Sequence, residues 1–150
     1  MGAGITVNAY AASTTFEMRK KTVRLLGILS TSNYQTNVSR GEFAELLVKA
    51  SNYRETANST GTVSVFADVS AKSQYSSAIR TAATNSWMSG YLGGNFKPDE
   101  GITMRDAIKA VLGVLGYTNE DFSGSLQESR LAKFKSLSLD SGIYRDLDEV

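Results

Sequence analysis

Few side chains in this sequence could do covalent chemistry. The 150 residues include no cysteine and no histidine. Thiol nucleophiles, imidazole acid–base catalysis and zinc sites built on Cys or His are therefore excluded. Asp99, Glu100 and Asp106 supply carboxylates, but they fall among turn and cap positions. Nothing sets two carboxyl groups across one bond, as glycoside hydrolysis requires. No EF-hand spacing is present, and neither metal nor cofactor is expected. Recognition of an anion remains. Arg40 is the third residue of VSRGEF, beside a predicted helix start whose backbone N–H groups and partial positive charge favour negative ligands. Its guanidinium is a planar fork that matches a carboxylate through two hydrogen bonds. Arg105 stands at a second such start, in ITMRDA. Tyr91, in the glycine-rich loop GYLGGNFKPDEGIT, offers an aromatic face with a polar edge, and Lys97 offers a cation. Each has a plainer reading. Arg40 and Lys97 then sit in solvent, and Asp68 caps a helix beginning near Ser73. Trp87 and Phe96 are expected in the core.

The elements that must hold these residues are helical. Three windows, Phe16 to Ile28, Ile79 to Tyr91 and Leu131 to Ile143, each open on a large apolar residue and close on Gly followed by an apolar or aromatic one. Gly27, Gly90 and Gly142 coincide in this register, which suits helix ends with positive φ. Ser39 and Thr103 each begin a capping-box pattern, with acids at Glu42 and Asp106. Apolar positions follow at i, i+3, i+4 and i+7: Phe43, Leu46, Leu47 and Ala50, then Ala107, Ala110, Val111 and Val114. Recurrence at this scale marks a repeat protein. Val63, Val65 and Phe66 are the one candidate extended segment. The chain is long enough to bury roughly 70% of its unfolded surface, its 41% apolar content is ordinary, and a net charge of +1 gives no bulk attraction for nucleic acid. The basic cluster Arg19, Lys20, Lys21, Arg24 and the late acids Asp140, Asp146, Asp148 and Glu149 read as solvated faces.

The stretch from Phe66 to Tyr117 resembles the S-layer homology module of bacterial surface proteins. The resemblance is carried by Phe66, Asp68 and Val69, by Ile79 and Ala82, and by Trp87, Gly90, Tyr91 and Gly94. Phe96, Lys97, Pro98, Asp99, Ile102 and Thr103 complete it. It implies a mainly α fold in which three modules form a pseudo-threefold helical assembly, with the third copy here incomplete. It also implies grooves between modules that bind an anionic secondary cell-wall polysaccharide, often through a pyruvylated sugar. The family's Thr-Arg-Ala-Glu-like motif matches Arg40, and its aspartate matches Asp68. Its loop matches Gly90, Tyr91, Gly93 and Gly94, where small residues let a sugar approach the backbone. One departure concerns the second copy. Met104 stands where the arginine is expected and Arg105 is one residue late, a turn of roughly 100° around a helix. Tyr75 stands in for the aromatic usual after the Asp-Val pair.

This organisation divides the chain into a leading segment that is disordered or a signal-peptide remnant (1–15), a first copy with linker (16–62), a second with linker (63–127) and a truncated third (128–150). The capping residue of the third copy would fall beyond Val150, which fits a fragment of a longer protein. Ala9-Tyr10-Ala11 has the small-x-small form of a secretion-signal cleavage site. No segment is long enough to span a membrane. The expected function is non-catalytic anchoring of a surface protein to the cell wall, outside the cell, by glycan binding around Arg40. On that reading Arg40→Ala leaves the helices intact. The alternative is an assembly module that oligomerises through the open third-copy groove and has lost glycan binding, as Met104 suggests.

Overall fold

The computed structural model describes residues 17–29, 37–56 and 63–143. Residues 1–16, the linker residues 57–62 and the acids Asp146, Asp148 and Glu149 lie outside these. Five helices are present among the described residues: α1 over 17–25, α2 Arg40–Ala50, α3 Ser76–Thr84, α4 Met104–Val114 and α5 Leu126–Ser136. Short 3-10 turns at Arg54–Thr56 and Asn119–Asp121 follow α2 and α4. The described residues form no strand. Val63 and Val65 lie in exposed loop, and the one strand-like pairing is an antiparallel bridge between Ser39 and Gly101. The fold is mainly α.

Four helices stop in the same way. The residue after each C-cap is left-handed: Gly27 (φ 67°), Ser86 (φ 59°), Gly116 (φ 93°) and Ser138 (φ 54°). The next residue sends its N–H back five positions along the chain, from Ile28 to Val23, Trp87 to Ala82, Tyr117 to Leu112 and Leu139 to Phe134. This is the Schellman closure, in which an apolar residue past the stop packs on an apolar residue in the last turn. All eight residues are apolar or aromatic. The register differs from the sequence expectation. Gly27 aligns with Ser86 and not with Gly90, whose φ is not positive. The α3 and α5 windows keep their alignment, with Ser86 over Ser138 and Gly90 over Gly142. Serine tolerates a positive φ poorly compared with glycine, which is why a glycine search overlooked it.

The core lies in two clusters. In the first, α2 packs on α3 through Ala44, Leu47, Val48, Ala78, Ile79 and Ala82, closed by Trp87, Met88, Phe96 and Ala110. The second joins Ile108 and Leu112 of α4 to Phe134 of α5, and Val111 touches both. Thus α4 is wedged between the clusters and buries two sides. The expected stripe on α2 is rotated: its buried face is Arg40, Gly41, Ala44, Leu47 and Val48, while Phe43 and Leu46 are half-buried and Ala50 is exposed. The sequence pattern missed this because an arginine and a glycine occupy buried positions.

Candidate functional site

The start of α2 is built into the glycine-rich loop. Ser39 and Glu42 form the expected capping box: Glu42 N–H donates to Ser39 Oγ, and Ser39 N–H donates to the Glu42 carboxylate at 2.9 Å. Arg40 N–H donates to Glu100 O at 2.8 Å, and Gly41 N–H donates to Pro98 O at 2.9 Å. These N–H groups, expected to face an anion, are satisfied by loop carbonyls instead. Gly41 is what permits the docking, because a Cβ there would stand 2.7 Å from the Tyr75 ring and 3.2 Å from Pro98 O.

Arg40 follows directly from this docking. Only 2% of the residue is exposed, contrary to a solvated first-turn arginine. Nε donates to Phe96 O at 2.9 Å, one terminal nitrogen to Ser89 O at 2.7 Å, and the other to Asp106 Oδ2 at 2.8 Å. The guanidinium carbon lies 4.8 Å from the centroid of the Tyr91 ring and 4.7 Å from that of Phe96, within cation–π range. Three of its five N–H donors are thus used, leaving one on each terminal nitrogen. Asp106 explains why the second capping box is half made. Thr103 accepts from the Asp106 N–H, but the carboxylate turns away to Arg40. An aspartate, one methylene shorter than Glu42, serves the ion pair instead.

Beside this network is a hollow of about 100 Å³ lined by Arg40, Trp87, Ser89, Gly90, Tyr91 and Lys109, among others. Lys109, absent from the sequence expectations, donates to Ser89 Oγ at 2.7 Å. Burial, and after it the charge of Arg130, holds its pKa below the ordinary lysine value. Its signal in the sequence was its place three residues after Asp106, a second charge on the same face of an otherwise apolar helix.

The remaining candidates divide between this hollow and the loop. Gly90 and Tyr91 join Arg40. Gly90 is demanded by packing, since a Cβ would lie 2.4 Å from Phe66 Cε1 and 2.9 Å from Asn95 O. Gly93 and Gly94 form the loop tip with φ of 95° and 82°, where only backbone conformation requires glycine. Asp68 is neither a cap near Ser73 nor part of the hollow lining. Its carboxylate accepts the N–H groups of Phe96 at 2.8 Å and Lys97 at 2.6 Å, pinning the loop. Partial burial pushes the Asp68 pKa up. The amides of Phe96, Lys97 and Asp68 itself, with the Arg40 charge, outweigh it and hold the carboxyl below its usual value. Lys97 pairs with Glu100 at 2.8 Å, and its ammonium lies 4.8 Å from the Tyr91 ring centroid. Arg105 is not brought to the site: it faces α5 beside Gln127, Arg130 and Leu131. Met104, at the position equivalent to Arg40, packs against the second apolar cluster.

The hollow presents Lys109, the Tyr91 ring, the Ser89 hydroxyl and the Arg40 guanidinium, with the Asp106 carboxylate already paired to the last, and so can take a small polar group. Among the described residues, no helix is long and apolar enough to cross a membrane. No curated protein and no solved structure matches the chain. The S-layer homology domain family matches residues 65–107, a span that holds Asp68, the glycine-rich loop, Tyr91 and Asp106 but not Arg40. Domains of this family are non-catalytic modules that anchor proteins to the bacterial cell wall. The match falls on the loop that receives α2, and residues 65–107 are those of an S-layer homology domain.

Proposed function

We propose that this chain anchors its parent protein to the cell wall by binding an anionic secondary cell-wall polysaccharide in the hollow beside Arg40. A pyruvylated sugar fits the reading, since its carboxylate is the group a guanidinium matches best. The observation that carries it is the convergence of residues distant in sequence at one hollow, Arg40 of α2 with Ser89, Tyr91 and Lys109. On the expected division these come from the first copy (16–62) and the second (63–127). Arg40 lines the hollow with its charge already shared with Asp106, and a carboxylate there would meet its two further N–H donors. Lys109 adds a partly desolvated positive charge, and Tyr91, 41% exposed, supplies a platform for the sugar ring. A hollow of about 100 Å³ admits a group of a few water-sized atoms, a carboxylate rather than a whole ring, so the sugar itself would lie across Tyr91. The pseudo-threefold arrangement and a third copy beginning near residue 128 belong to the same reading, as does placement outside the cell.

The test uses the surface members of the site. Tyr91→Ala and Lys109→Gln are expected to reduce retention on purified wall polysaccharide by about tenfold each, the worth of one good polar or ring contact, with melting temperatures close to wild type. Undiminished retention of both variants would overturn the site.

Self-assembly is the second reading. It draws on α1, where Leu25 and Leu26 are exposed at 78% and 49%, an apolar surface of the kind that seeks a partner. Sedimentation across a hundredfold range of concentration decides: a monomer throughout refutes it.

A further inference from the structure

Positive charge in this chain is concentrated on α1. Residues 17–25 carry Arg19, Lys20, Lys21 and Arg24 against the single acid Glu17, a net +3. The whole chain carries +1, so everything outside α1 sums to −2. The same helix turns three large apolar side chains to water: Met18, Leu25 and Leu26 are exposed at 61%, 78% and 49%. They stand at i, i+7 and i+8, and so share one side of the helix. Lys21 borders that side next to Leu25, and Arg19 borders it next to Leu26. The half-buried residues of α1, Lys20 and Val23, lie on the far side. Glu17 is tied to Lys20 at 3.1 Å, and Arg54 brings a further cation to the helix end, where it donates to the Leu26 carbonyl. Open space of about 1,020 Å³ runs along α1, lined by Met18, Leu25 and Leu29 together with Lys20, Lys21 and Arg24.

We propose that α1 is an interfacial helix that seats this protein on a lipid surface bearing anionic headgroups. Met18, Leu25 and Leu26 enter the boundary of the acyl chains. Arg19 and Lys21 lay their methylene stems along that boundary and carry their charges up to the phosphates. Both halves of the arrangement need this partner. A soluble polyanion would meet the cations and leave three exposed apolar side chains in water. A neutral apolar patch would cover those side chains and bring the bordering cations out of water without a counter-charge. An anionic lipid surface satisfies both. At 1.5 Å per residue the nine residues of α1 reach about 14 Å, under half of a hydrocarbon core of about 30 Å, so the helix lies along the surface and does not cross it. The remainder of the chain, at −2, is repelled by the same surface, which orients the molecule with α1 toward the lipid. None of this rests on the glycan reading, whose residues lie on other elements.

Co-sedimentation of the full chain with vesicles of phosphatidylcholine alone, and with vesicles of equal parts phosphatidylcholine and phosphatidylglycerol, tests the proposal. Binding is expected on the anionic vesicles and far less on the neutral ones. Leu25→Ser is expected to weaken it about tenfold and Lys21→Gln about fivefold, both with the melting temperature of wild type, because both residues are exposed. Polyphosphate, a polyanion with no apolar phase, is the control: Lys21→Gln weakens any binding to it and Leu25→Ser does not. No binding to anionic vesicles, or equal binding to both kinds, overturns the proposal. So does an anionic preference that Leu25→Ser leaves untouched, because charge alone then accounts for it. Self-association that Leu25→Ser abolishes, without vesicle binding, gives the face to a second copy. A melting temperature lowered by Leu25→Ser shows the face covered within the chain itself. Either result also overturns the proposal. Retention of Leu25→Ser on wall polysaccharide is expected to match wild type, so failure here leaves the site beside Arg40 standing, and failure of that site leaves vesicle binding to be judged by itself.

Discussion

Arg40→Ala probes the structure most directly. The substitution removes three hydrogen bonds of 2.7–2.9 Å that tie α2 to the Phe96 and Ser89 carbonyls and to Asp106. Hydrogen bonds to a charged group contribute about 1.5–3 kcal/mol each, but they share one side chain and do not add. The Asp106 end is 38% exposed, so water screens its share. The two carbonyl bonds lie deeper and lose their donor outright. A net cost of about 3–5 kcal/mol follows, the range for breaking a buried charged pair. Against a total stability of about 5–15 kcal/mol this is severe, and at about 2–4 °C per kcal/mol it lowers the melting temperature by about 10 °C. Arg40→Lys keeps the charge but not the fork, and is expected to fall between. Asp106→Asn retains an oxygen acceptor and costs about 1 kcal/mol. Thermal melts by circular dichroism at 222 nm give the order wild type, Asp106→Asn, Arg40→Lys, Arg40→Ala. A melt of Arg40→Ala within about 2 °C of wild type would refute the network. The expectation that this variant leaves the helices undisturbed is replaced by this one, which is why Tyr91 and Lys109 are the better probes of binding.

Gly90→Ala places a methyl 2.4 Å from Phe66 and 2.9 Å from a backbone oxygen, and overpacking of that kind costs about 1–3 kcal/mol; chemical denaturation showing no loss would contradict the packing. Asp68 bears on acid stability. Its folded pKa lies below the usual 3.8, so its contribution is fully present above that value and is lost as pH falls through the lower folded value. Asp68→Asn should flatten the fall in melting temperature as the pH drops below the usual 3.8, and parallel acid limbs in the two proteins would exclude Asp68 as a source.

Helices were legible in this sequence wherever local signals agreed. The box at Ser39 and Glu42 and the cap at Thr103 are short-range events, and both form. The windows ending in Gly90 and Gly142 keep their register because α3 and α5 stop alike. Legibility failed where a distant contact decides. Nothing near Arg40 in sequence says that it is buried, because its partners lie 49, 56 and 66 residues away. Asp106 read as a cap because its spacing fits one, and only the arrival of Arg40 diverts it. Gly90 read as a helix stop, yet it is a glycine because of Phe66, 24 positions earlier. The left-handed stops at Ser86 and Ser138 were hidden behind a residue type that seldom adopts that conformation.

The same long-range contacts bear on how such a module works. Arg40 stands at the start of α2, while its three acceptors, at Ser89, Phe96 and Asp106, lie beyond α3. The hollow beside it therefore exists only when α2 has docked on the loop between α3 and α4. Alone, α2 would carry the arginine without its carbonyls, and the loop would lack its cation. Met104 shows the complement of this rule: where the next contact is with the apolar cluster shared by α4 and α5, an apolar side chain replaces the guanidinium. The identity of the residue after the helix cap is thus set by what the segment it docks on presents. An arginine pairs with carbonyls and an acid, and a methionine packs with the apolar cluster of Ile108, Leu112 and Phe134. On the proposed function, binding then resides at the junction that Arg40 holds and not at the one that Met104 holds.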